Sequence, residues 1–161
     1  MDPITEAERQ WRDHGWADAA AGMVAVTSLT RVQQLLHQRI DSVLKPLDLT
    51  FARYEVLMLL DFSSRGSLPM SIIGSRLQVH PASVTSAVER LERQGFVTRE
   101  RTDSDRRMVL ARITPAGRRT AKRATERLNA DVFTDLGLSD RDLASLTRLL
   151  TDLRRQEGDL A

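Results

Sequence analysis

The side chains suited to recognition chemistry are gathered in two short runs. Ser83, Thr85, Ser86 and Arg90 stand between Pro81 and Gln94, preceded by His80, Pro81 and Ala82; Asp105, Arg106 and Arg107 stand before Met108. Hydroxyls at this spacing donate to or accept from base edges and phosphate oxygens, and an arginine reaches a phosphate or a guanine edge. Small residues such as Pro81, Ala82 and Ser83 let a backbone approach the floor of a groove. A helix that begins at Pro81 also turns free N–H groups toward an anion. The same run fits an amphipathic helix whose polar face meets only water, and on its own it leaves the two readings level. In the second run, an arginine on a thin loop can enter a minor groove and feel its focused negative potential. An aspartate two residues earlier can hold that guanidinium in one pose. The plain alternative is a salt bridge at a loop tip with no ligand, worth little.

Catalytic chemistry finds no comparable footing. His14, His37 and His80 are scattered without metal-ligand spacing, and there is no Gly-rich phosphate loop and no G-x-S-x-G elbow. Ser83 and His80 are close in sequence, but no buried acid is placed to orient a base. The chain holds no cysteine, which removes disulfides, thiolate catalysis, Cys-type zinc sites and thiol oxidation sensing. The expectation is a protein that is not an enzyme and carries no metal or other cofactor.

The elements that must position these runs follow from periodicity and breaks. Apolar residues at steps of three and four, from Met23 through Val26, Leu29, Val32, Leu36, Ile40 and Val43, predict a long helix over about Ala17–Leu44. Pro46 ends it. Thr50 caps a second helix, about Phe51–Ser63, and Gly66-Ser67-Leu68-Pro69 reads as a turn. A short helix over Met70–Leu77 follows, then one from Pro81 to Gln94 with Val84, Ala87, Val88 and Leu91 as its apolar stripe. Gly95 sits at the left-handed cap position. Phe96–Arg101 and Met108–Ile113 flank a polar tip and read as a β-hairpin. Thr114-Pro115 opens a helix that extends to about Asp135, Gly137 breaks it, and Ser139 starts a last helix striped by Leu143, Leu146, Leu149, Leu150 and Leu153. Residues 1–15 carry no such pattern and read as a weakly structured arm. The fold class is mainly α with a small β-hairpin wing: a winged helix-turn-helix plus a helical dimerisation region. The expected division is an arm at 1–16, the dimerisation region at 17–47 and 114–161, and the winged domain at 48–113.

At 161 residues the chain has one domain's length and can bury a real core. Apolar residues at 41% and charged residues at 29% exclude a wholly disordered protein. No apolar run approaches about 18 residues, and the first residues hold acids and no apolar core, so neither a membrane span nor a secretory signal is expected and the compartment is the cytoplasm. The net charge of +2 conceals a segregation: Arg76–Arg127 holds 13 Lys and Arg against 6 Asp and Glu, whereas the remainder holds 11 against 16. Such a block is a footprint for a polyanion or a solvated helical face with spare arginines. The skew of 22 Arg to 2 Lys runs through the whole chain and fits GC-rich codon usage.

The stretch HPASVTSAVERLERQGFVTRERTDSDRRMVLARITPAGRR, His80 to Arg119, closely resembles the MarR family of transcriptional regulators. The matching features are the Val-Thr pair in the recognition helix, Glu-Arg-Leu-Glu, Gly-Phe-Val, the Asp-Arg-Arg wing and Ile-Thr-Pro-x-Gly at the start of the next helix. With the order of elements, the resemblance covers about residues 17–157. It implies a homodimeric winged-helix protein that binds double-stranded, pseudo-palindromic DNA, commonly a repressor released by a small, often aromatic, anionic effector. At matching positions it places Ala82, Ser83, Thr85, Ser86 and Arg90 on the major-groove side. Arg107 becomes the minor-groove arginine, steadied by Asp105, with Arg106 on the backbone. His80 stands where a Ser or Thr cap is common, so either Pro81 and the loop compensate or His80 touches phosphate. The missing cysteine excludes the cysteine-oxidation switch used by part of the family.

The dimer also follows from the residues. Apolar stripes at both ends of the sequence exceed what a winged domain needs, and either a two-fold helical interface or packing on their own chain would bury them. The resemblance implies a ligand pocket between the dimer helices and the winged domain, for which Trp16, Arg31, Phe51, Tyr54 and Glu55 are the candidates. Arg31 is otherwise a solvated helix residue and Trp16 a core or dimer anchor. In some relatives ligand also meets the residues matching Thr85 and Arg99. A winged-helix module that binds protein in place of DNA is the competing function; it would present an apolar or acidic recognition face, whereas this one is small, polar and basic.

Overall fold

The structure is a computed structural model that describes residues 2–105 and 107–160. Arg106, expected on the DNA backbone, lies outside the described residues. Seven α-helices and three strands are described: α1 (Pro3–Asp13), α2 (Ala17–Leu44), α3 (Phe51–Phe62), β1 (Ser67–Pro69), α4 (Met70–Leu77), α5 (Pro81–Arg93), β2 (Val97–Arg101), β3 (Val109–Ile113), α6 (Pro115–Leu128) and α7 (Asp140–Gln156). A 3-10 turn at Lys45–Leu47 follows α2, and a π turn at Asn129–Phe133 follows α6.

Local chemistry explains most of these boundaries. Thr50, Thr114 and Ser139 each accept an N–H of the first turn through a side-chain oxygen, and Pro81 and Pro115 occupy first-turn positions where no N–H is needed. Three expectations need correction. The segment before Ala17 is a helix, because Asp2 accepts the N–H groups of Ile4 and Thr5 and ion pairs at helical spacing (Arg9 with Glu6 and Asp13, Arg12 with Glu8) support it. It buries no residue, so it left no apolar stripe to read. Ser67–Pro69, read as a turn, is a strand: it pairs antiparallel with β3, Leu68 opposite Ala111. The sheet order is β1-β3-β2, with Val97 opposite Ile113 and Arg101 opposite Val109. The helix expected to run to about Asp135 leaves α geometry at Asn129, and Arg39 from α2 reaches across to hold the π turn. Its guanidinium donates to the Asp131 and Asp135 carbonyls and pairs with the Asp135 carboxylate at 3.0 Å.

One core ties the winged part to the base of the long helices. Leu44, Leu57, Leu60, Ile73, Val88, Leu91, Val97, Ala121 and Leu128 are sealed within it. The helices leaving this core are bare. Helix α7 buries no residue, and Leu146, Leu149 and Leu153 stand out on it; α2 buries only Ala20 and Leu44, with Val26, Leu29 and Val32 exposed. Among the described residues, no helix is long and apolar enough to cross a membrane.

Candidate nucleic-acid interface

Helix α5 sorts its residues as the spacing predicts. Val84, Val88 and Leu91 are buried, and Pro81, Ala82, Ser83, Thr85, Ser86 and Arg90 are exposed on the other side. His80 is itself the cap. Its ring Nδ1 accepts the Ala82 N–H at 3.1 Å, so no compensation by the loop is needed. With Nδ1 accepting this bond, the ring N–H stands on Nε2, where it can donate to an anion. The Thr85 hydroxyl donates back to the Pro81 carbonyl at 3.1 Å, so toward a ligand it presents its acceptor lone pairs and its methyl group.

The wing is built on local bonds. Thr102 Oγ1 donates to the Asp105 carbonyl at 2.8 Å, and Asp105 Oδ1 accepts the Arg107 backbone N–H at 2.9 Å. Asp105 thus sets the course of the main chain, whereas the sequence suggested a hold on the guanidinium. Arg107 is exposed, and with Thr85 and Arg99 it lines an open groove of ≈ 420 Å³ between the wing and α5. The wing is braced against α5 by Arg99, whose Nη2 donates to Glu92 at 3.0 Å and whose Nη1 lies 3.7 Å from Glu89. The bond with Arg99 holds the Glu92 carboxyl below its ordinary range, and the same bond raises the Arg99 guanidinium.

A second groove, of ≈ 710 Å³, lies on the other flank of α5, where Ser83, Ser86, Arg90 and Arg93 face Thr50 and Arg53 of α3. Arg53 is partly buried, and that burial lowers its guanidinium; the charge of Arg90 acts in the same sense and Asp48 opposes both. Three cations beside hydroxyls and a helix start make a bed for an anionic backbone. Asp48, Arg53 and Gln94 were not singled out from sequence. Their contacts with α5 and Gln94 span 41 to 46 residues, beyond the reach of any local pattern, and Asp48 takes a left-handed conformation there, φ 51°.

The expected ligand residues separate into groups. Phe51 stacks on Tyr54 with ring centroids 6.0 Å apart, and Tyr54 is buried with its hydroxyl 2.9 Å from Thr125 Oγ1, a brace between α3 and α6. Glu55 is half-buried beside them, and burial raises its carboxyl above the ordinary range. Trp16 packs instead at the α1–α2 corner against Trp11 (5.2 Å) and His14 (5.6 Å). It is the N-cap of α2, whose 28 residues at 1.5 Å rise put roughly 40 Å between it and the end of α2 that enters the core at Leu44. Arg31 is exposed halfway along α2, where it reaches Gln34. Among the described residues no group of His, Cys, Asp and Glu could hold a metal ion.

Comparison with known proteins places this geometry in context. Residues 49–109 match the sequence profile of the MarR family. A MarR family transcriptional regulator from Streptomyces coelicolor, solved at near atomic resolution, is 44% identical; the match covers 87% of this chain and 97% of that one, with a TM-score of 0.78. A second such regulator from that organism, solved in complex with DNA, is 24% identical over 85% of this chain and 88% of its own, TM-score 0.75, a likeness of fold. The HTH-type transcriptional regulator YhbI of Bacillus subtilis is 29% identical over 128 residues, 74% of this chain and 82% of the relative.

Proposed function

The chain belongs to the MarR family of transcriptional regulators, and we propose that it works as a homodimeric repressor of a pseudo-palindromic operator, released by a small anionic effector. It is a DNA-binding transcriptional regulator. The observation that carries it is the division of α5, with Val84, Val88 and Leu91 buried and a small, polar, arginine-bearing face exposed to solvent beside Arg107. That face fits a major groove, with Ala82, Ser83, Thr85 and Ser86 against base edges and phosphates. Arg107 reaches the adjoining minor groove, and the His80 Nε2–H donates to the backbone. An apolar or acidic face, as a protein adaptor would need, is absent from the described surface of α5.

Helix α7 supports the dimer, since Leu146, Leu149 and Leu153 of its stripe stand exposed and it buries no residue against the other described residues. Residues 17–47 and 114–161 would form the interface and 48–113 the reading head. Two α5 helices set one helical turn apart, roughly 34 Å, then address two half-sites. An effector that loosens DNA 100-fold must favour the non-binding spacing by about 2.7 kcal/mol, within reach of a small pocket. The half-buried Glu55 with Phe51 and Tyr54 is the part of that pocket a single chain supplies; Trp16 and Arg31 would join it only from a partner. The whole would act where the DNA is, in the cytoplasm.

The test is fluorescence anisotropy with a duplex from upstream of the protein's own gene beside a scrambled one, across a salt series. Tighter binding to the first, at one dimer per site, is expected. Arg107→Ala should weaken it and reduce the slope of log affinity against log salt by about one. Unchanged affinity and slope would refute the wing assignment.

A further inference from the structure

Arg90 is already occupied. Its Nη2 lies 3.1 Å from Oδ2 of Asp48, the residue that ends the 3-10 turn after α2. Asp48 has a left-handed backbone, which aspartate tolerates better than branched residues do. Its carbonyl accepts from Arg53 Nη1 at 2.9 Å and from Gln94 Nε2 at 2.7 Å, and Arg53 Nη1 also donates to Gln94 Oε1 at 2.9 Å. With the main chain pinned twice, the carboxylate is delivered to one place, against Arg90 and 3.1 Å from Gln94 Nε2. That place borders the groove where Ser83, Ser86 and Arg93 also stand. A carboxylate oxygen at hydrogen-bond distance from a guanidinium takes the position that a phosphate oxygen would take.

The pair is exposed, Arg90 at 47% and Asp48 at 67%, so water and salt weaken it and a phosphate can displace the acid. The donor sits on α5 and the acceptor in the turn fed by α2, so the contact reports how those two elements stand relative to each other.

We infer that Asp48 is a built-in competitor for the recognition-helix arginine: it occupies Arg90 in the free protein, must yield it to a DNA phosphate, and thereby limits affinity. The inference rests on the DNA-binding reading above. Removing the competitor tightens binding, and the gain passes through Arg90 and not through a general loss of negative charge.

The experiment is a double-mutant cycle on the full chain, read by anisotropy on the operator and scrambled duplexes. Asp48→Asn keeps the left-handed backbone and an acceptor for Gln94; Asp48→Gly is the second variant, suited to the same φ. Either substitution should tighten binding about 3- to 10-fold, the range set by trading an exposed ion pair for a phosphate contact. In an Arg90→Ala background the same substitution should change affinity less than about twofold, the residue of general charge. Equal gains in both backgrounds, no gain, or a loss would overturn the inference while leaving the regulator reading intact. Wild-type protein that binds neither duplex would overturn both.

Discussion

Replacing Gly117 with alanine sets two physical effects of opposite sign against each other. Gly117 lies in the first turn of α6, where its N–H meets the Thr114 cap at 3.0 Å. In an exposed helix, Gly→Ala stabilises by about 1 kcal/mol. Here a Cβ would collide with the Phe96 carbonyl oxygen and stand 2.9 Å from Ile113 Cγ1. The first neighbour is backbone, and it cannot retreat freely, because the same oxygen accepts the Thr114 N–H at 3.0 Å. Overpacking of this kind costs about 1–3 kcal/mol, and loss of the Thr114 bond would add about 1 kcal/mol. Taken against the propensity gain, the net is destabilisation by about 1–3 kcal/mol. At roughly 2–4 °C per kcal/mol for a chain of this size, the melting temperature should fall by roughly 2–12 °C. Thermal unfolding followed by circular dichroism measures this, at one fixed protein concentration because a dimer's melting point moves with concentration. A Gly117→Ala protein that melts at or above the wild type would refute the close approach of α6 to the start of the wing.

Two further outcomes are expected. Burial raises the Glu55 carboxyl, so its protonated form is the one the fold favours: the stability this lends is present below the unfolded value near 4.5 and is lost as pH rises through the folded value. Glu55→Gln should therefore melt higher than wild type at pH 7, with the advantage vanishing below pH 4; a constant difference across that window would show that Glu55 is solvated. Leu149 is 52% exposed on α7, and Leu149→Glu should weaken self-association at least about tenfold, or 1.4 kcal/mol. Sedimentation would then move toward an 18.1 kDa species, and unchanged sedimentation would remove α7 from the interface.

The reading head was legible because its signals are local. Pro81, Gly95, Thr114 and Pro115 punctuate the chain, and the stripe Val84, Val88 and Leu91 repeats at helical spacing, so the burial of α5 follows from sequence. Helix α1 escaped notice for the converse reason: it is made by a cap and ion pairs and buries nothing. Strand β1 escaped because three residues become a strand only when β3, more than 40 positions on, offers its edge. The candidate ligand residues do not form one group: Trp16 packs on Trp11 and His14 at the start of α2, whereas Phe51 and Tyr54 stack on each other beyond its end, and no pattern of residue types encodes that separation.

Spacing and composition settled which face of α5 is apolar, where the capped helices α3, α5, α6 and α7 start, and that a basic hairpin follows α5, since these depend on neighbours a few residues apart. Packing settled the rest. Arg90 is held by Asp48 across 42 residues and the end of α6 by Arg39 across more than 90. Such pairings arise only when a closed core brings distant backbone within about 3 Å, the reach of a hydrogen bond, and that reach is a property of the folded chain.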